Sequence, residues 1–90
     1  MIKTIVTLSG KDGVGIIAKV CTFFAENNIN ILDISQTTDD VNIHMMMIVN
    51  TEKYTGSFED LVAGLNEVGK QVNCHIKAQH EDIFNMMHRI

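Results

Sequence analysis

Leu8-Ser9-Gly10-Lys11-Asp12-Gly13-Val14-Gly15-Ile16 decides how the rest of this ninety-residue chain folds. An alternating, strand-like run, residues 2–9 with Ile2, Val6 and Leu8 on one face, breaks into a glycine-rich turn. A helix opens beyond it, from Gly15 to about Asn27, with Ile16, Ile17, Val20, Cys21, Phe23 and Phe24 recurring three or four apart. Glycine admits positive φ and close approach of another group. The free N–H groups at the start of the helix point back into the turn and favour an anion by about 0.3 to 1 kcal/mol at an exposed site. The local alternative is structural, with Asp12 as an N-cap accepting an N–H two or three residues on. The spacing of Gly10, Gly13 and Gly15 is not G-x-G-x-x-G, and Gly10-Lys11 lacks the flanking residues of a P-loop.

Working outward, Asn27-Asn28 stops the helix, Ile29 to about Thr38 reads as a second strand, and Thr38-Asp39-Asp40 as the turn into a hairpin. Residues 41–49 set Val41, Ile43, Met45, Met47 and Val49 against Asn42, His44, Met46 and Ile48. Two largely apolar faces suit an inner strand. Ser57 is a good N-cap, with Glu59 and Asp60 in the first turn, for a helix through Phe58, Leu61, Val62, Leu65 and Val68, ended by Gly69. Residues 71–78 alternate as a strand covered on one face, and Glu81 to Ile90 brings back helical spacing as a short tail. The order βαββαβ predicts an α+β, ferredoxin-like sandwich. Its four-stranded antiparallel sheet has order 4-1-3-2, with two helices on one face and a short C-terminal helix.

Ninety residues make a single domain, 1–90, with 79–90 as its helical tail. Apolar residues at 46% against 20% charged describe an ordinary globular chain, so a core is expected. The formal net charge of −4, with Arg89 the only arginine, gives no basic patch and argues against direct nucleic-acid binding. Without a signal-type block or an apolar run of spanning length, the expected location is the cytoplasm, away from membranes. Cys21 and Cys74, far apart and each in an apolar run, read as small buried hydrophobes.

His44 and His75 share the open side of the sheet with the first strand between them, about 10 Å apart. No Cys or acidic residue completes a tetrahedral set, so no metal and no cofactor is expected. No Ser or Cys stands in an elbow-like context beside a His. Met45 and Met47 fall in the buried phase, whereas Met46 and Ile48 leave an apolar patch that suggests contact with another subunit.

The run Gly10-Lys11-Asp12-Gly13-Val14-Gly15-Ile16-Ile17-Ala18-Lys19-Val20, then Phe24, Ile29-Asn30-Ile31 and Met45 to Val49, resembles an ACT domain over essentially the whole chain. The likeness is greatest to the small stand-alone bacterial and archaeal members, whose tail resembles that from Asp82 to Ile90. The chain is also similar to the regulatory proteins of the glycine cleavage system. The resemblance implies a non-enzymatic regulatory homodimer that binds an amino acid near the subunit boundary. By position, Asp12, Gly13, Val14, Gly15 and Ile16 supply backbone N–H groups, and Asn30 a side-chain amide. Lys11-Asp12-Gly13-Val14 stands where many members carry Asp-Arg-Pro before the glycine, so the loop is expected to be more mobile.

With no catalytic domain expected, any regulated protein partner would be separate. The competing reading is an assembly module that has lost its ligand. Third is an enzyme, and the turn lacks the arginine of an acylphosphatase. It also lacks the paired cysteines of a copper chaperone, and the open strands lack the stacking aromatics of an RNA binder.

Overall fold

The computed structural model describes residues 1–81; the helix expected from Glu81 to Ile90 lies, beyond its first residue, outside them. The elements run β1 (Lys3–Lys11), α1 (Ile16–Glu26), β2 (Asn30–Asp39), β3 (Asn42–Asn50), α2 (Phe58–Val72) and β4 (Cys74–His80). All strand pairs are antiparallel, and the sheet order β2-β3-β1-β4 is the expected 4-1-3-2 read from the other edge. The fold is therefore the ferredoxin-like sandwich. Alternation along β3 turns Ile43, Met45, Met47 and Val49 towards the helices, where they meet Val6 and Leu8 of β1, Ile76 of β4, Ile16, Val20 and Phe24 of α1, and Leu61, Leu65 and Val68 of α2 in one core. At about 25 cal/mol per Å² of apolar surface removed from water, each such side chain stabilises by about 1.5–3 kcal/mol.

The helix ends follow local chemistry. Ser57 Oγ accepts the Asp60 N–H at 3.1 Å and an Asp60 carboxylate oxygen accepts the Ser57 N–H at 3.1 Å, the reciprocal box expected of this N-cap. At the end of α1, Asn28 takes φ 57° and Asn27 Nδ2 donates to the Phe23 carbonyl at 2.8 Å.

Four boundaries differ from the sequence reading. Gly69 does not end α2: the helix continues to Val72, and Asn73, at φ 57°, makes the left-handed turn. Gly69 is glycine for a packing reason, since a Cβ there would lie 2.6 Å from the Cys74 carbonyl oxygen. The last strand therefore starts at Cys74 rather than 71. The hairpin turn is Asp40-Val41, with Asp40 at φ 50°, so Val41 leaves the apolar face of β3 and is 61% exposed. At the other end of the chain, β1 runs on through Gly10 and Lys11. Its best-buried residues are Thr4, Val6 and Leu8, with Ile5 next; Val6 and Leu8 are on the buried face as expected, but Ile2 is 49% exposed.

On the helix-free face, His44 and His75 both stand in register with Ser9, as expected of strands flanking β1. Cys21 and Cys74 are only partly buried, which corrects the expectation of two core thiols. Cys21 sits at the margin of α1's buried stripe, and Cys74, at the α2–β4 corner, packs against the core from its edge.

Candidate functional site

The turn from Asp12 to Gly15 hangs between the end of β1 and the start of α1, pinned on one side by Asp12 N–H donating to the Val41 carbonyl at 2.7 Å. Asp12 is not the cap of α1. Its Oδ1 accepts the N–H of Gly13 at 3.0 Å, and the N-cap is Gly15, whose φ of 86° places it in the left-handed region with no side-chain hydrogen bond. The first intrahelical bond runs from Lys19 N–H to the Gly15 carbonyl at 3.0 Å. The amides of Ile16, Ile17 and Ala18 therefore open the helix with no capping side chain and no acidic residue in the first turn. Asp12 fails as a cap because Gly13, Val14 and Gly15 separate it from the helix.

The three glycines of the turn serve different ends. Gly15 is needed for its φ, there being nothing within 4 Å of where a Cβ would stand. Gly10 is needed for contact: a Cβ would lie 2.8 Å from Cys74 Sγ and 3.0 Å from the Asn73 carbonyl oxygen. Gly13 has neither requirement, its added Cβ meeting only Ile16 Cδ1 at 3.8 Å.

A cleft of about 380 Å³ opens beside the turn. Lys11, Asp12, Gly13, Val14, Gly15, Ile16 and Lys19 form one wall, and Gln71, Val72 and Asn73 from the end of α2 form the other. Five of the six residues singled out from sequence are thus together. The α2 residues were missed, because their approach depends on how far that helix runs past Gly69.

Asn30 is elsewhere. It pairs with Asn50, which pairs with Lys3, whereas the turn follows Lys11 at the far end of β1. Eight strand steps separate the two ends, about 26 Å. Within one chain the exposed Asn30 does not reach the cleft.

Cys74 donates weakly to the Val72 carbonyl at 3.5 Å, and burial pushes its thiol pKa up, with the charge of Asp12 adding to the shift. A thiol held protonated is a poor nucleophile. Among the described residues no group of three or more His, Cys, Asp or Glu side chains could hold a metal ion. No helix among them is long and apolar enough to cross a membrane.

A βαββαβ sandwich whose glycine turn presents uncapped helix amides beside a cleft belongs to the class of small ferredoxin-like binding domains. Residues 4–55 match the ACT domain, and the chain belongs to that family, one of regulatory domains that bind small molecules. Over all 90 residues, and all of each relative, it is 46% identical to a UPF0237 protein of Bifidobacterium longum and 41% to one of Methanocaldococcus jannaschii. It is also similar to the solved ACT domain protein from Streptococcus pneumoniae. That match has 37% identity and a TM-score of 0.81, and covers 92% of this chain and 93% of that one. A putative glycine cleavage system transcriptional repressor shares the fold at TM-score 0.70 and 18% identity, over 87% of this chain and 44% of its own.

Proposed function

We propose that this chain is a non-enzymatic sensor, one domain over residues 1–90, that binds an amino acid at the Asp12–Ile16 turn and works as a homodimer. The observation that carries the reading is the left-handed Gly15, which leaves the amides of Ile16, Ile17 and Ala18 uncapped at the mouth of the cleft. In this reading they donate to the ligand carboxylate, while Asp12, with one carboxylate oxygen not used on Gly13, takes the ligand ammonium.

The dimer is supported by β2, an edge strand exposed at nine of its ten residues, including Leu32 and Ile34. The flank of α1 turned away from α2 adds Ile17, 41% exposed, and Cys21 beside that edge. An unpaired apolar edge invites its own copy. If two β2 strands pair antiparallel about a twofold axis, the Asn30 end of one lies at the Asp39 end of the other, the end where the partner's turn sits. Asn30 then serves the partner's site.

A thermal-shift screen of the twenty amino acids tests the reading. A ligand at 100 times its dissociation constant stabilises by about 2.7 kcal/mol. A shift with one or two amino acids is the expected result; no shift with any leaves the assembly-module reading, with the β2 edge as its working surface.

A further inference from the structure

The helix-free face of the sheet changes character along its length. Register sets His44 beside Ser9 and Thr37 towards the glycine turn, all polar, and Ile5 beside Ile48 towards the opposite end. Met46, two residues before Ile48 and on the same face, is 37% exposed. The apolar end is also the end at which β4 finishes, since Gln79 pairs with Ile5 and His80 with Thr4.

Ile5 carries the inference. It is 4% exposed, yet it faces away from the core that Val6 and Leu8 enter, on the side that α1 and α2 do not cover. Its strand neighbours Ile48 and Gln79 are themselves only half-buried. A sheet face open to water leaves such a residue partly wet, so burial this deep calls for a cover.

Residues 82–90, outside the described ones, are suited to supply it. Where the chain leaves β4, a cavity of about 370 Å³ opens, lined by Met1, Ile2, Lys3, His80 and Glu81. In sequence Ile83, Phe84, Met87 and Ile90 fall on one side at helical spacing. So short a segment needs a surface to dock on. At helical rise, nine residues reach about 13.5 Å. From β4 across β1 to β3 is about 10 Å, so the segment is long enough to cover both Ile5 and Ile48.

We propose that the apolar end of the helix-free face is the docking site of this chain's own residues 82–90, with Phe84 seated against Ile5 and Ile48. The face is then closed to a second chain, which leaves the β2 edge as the surface where copies meet. The proposal stands independently of what the turn binds.

Nuclear Overhauser contacts in the full chain, methyl-labelled at isoleucine and methionine, test it. Contacts from the Phe84 ring to the methyls of Ile5, Ile48 and Met46 are expected. A sample mixing labelled and unlabelled chains should show that they lie within one chain. Phe84→Ala is expected to move those three methyl signals and to leave those of Met45 and Met47, on the core side, in place. Contacts between chains in the mixed sample would overturn the proposal and give the face to a second copy. Phe84 contacts confined to the helix layer, or no contact between residues 82–90 and this face, would overturn it as well.

Discussion

At the residue scale, glycines at 10, 13 and 15 look alike in the sequence and differ in cause. Gly10→Ala sets a Cβ 2.8 Å from Cys74 Sγ and 3.0 Å from backbone, and Gly69→Ala sets one 2.6 Å from the Cys74 carbonyl oxygen. Each is expected to destabilise by about 1–3 kcal/mol in chemical denaturation, since the strand start must move. Gly13→Ala is expected to stay within about 0.5 kcal/mol. Gly15→Ala meets no atom but is strained at φ 86°, a cost of order 1–3 kcal/mol that falls on the turn itself.

Asp12 also acts at this scale, through charge. It helps hold the Cys74 pKa up, so in a Cys21→Ser background Asp12→Asn should speed alkylation of Cys74 at fixed pH. An unchanged rate would mean that the carboxylate is not sensed by the thiol. Because the folded-state pKa of this thiol is raised, its contribution to stability is complete below the unfolded value. That contribution is lost as pH rises through the folded value.

At the element scale, the two helices begin differently. Ser57→Ala removes a reciprocal cap and should cost about 1 kcal/mol. Asp12→Ala removes no cap from α1 and should leave thermal stability within about 0.5 kcal/mol of the parent. Equal losses for the two would contradict the assignment of Gly15 as N-cap. These ends show what the sequence could and could not convey. Period-2 alternation in β3 and period-3.6 spacing in α2 are properties of single segments, and both helices and all four strands were legible from them. The end of α2 was not, because Gly69 has two physical uses. A terminating glycine and a glycine under a neighbouring carbonyl look identical until β4 is in place. For the same reason Gln71, Val72 and Asn73 were not recognisable as the second wall of the cleft, while Asp12 to Ile16, contiguous in sequence, were.

At the scale of the whole molecule, the two ends of the sheet matter most. The turn lies at one end and Asn30 at the other, so a site using both requires two chains. Ile34→Lys, on the exposed edge strand, is expected to convert a dimer into a monomer in sedimentation at micromolar concentration with the fold retained. A wild-type monomer would remove Asn30 from the site. Mixed dimers extend the argument: Gly15→Val and Asn30→Ala chains, each defective alone, should together regain binding at one of their two sites. No recovery would place Asn30 outside the site.

The most direct test of the central claim is a two-dimensional amide NMR titration of the isotopically labelled chain with the amino acid that gives the largest thermal shift. The largest shift changes are predicted at the amides of Gly13 to Ala18, with smaller ones at Gln71 and Asn73 across the cleft. Changes confined to the helix-free face around Met46 and Ile48, with the turn amides unmoved at saturation, would contradict the claim that this turn is the binding site.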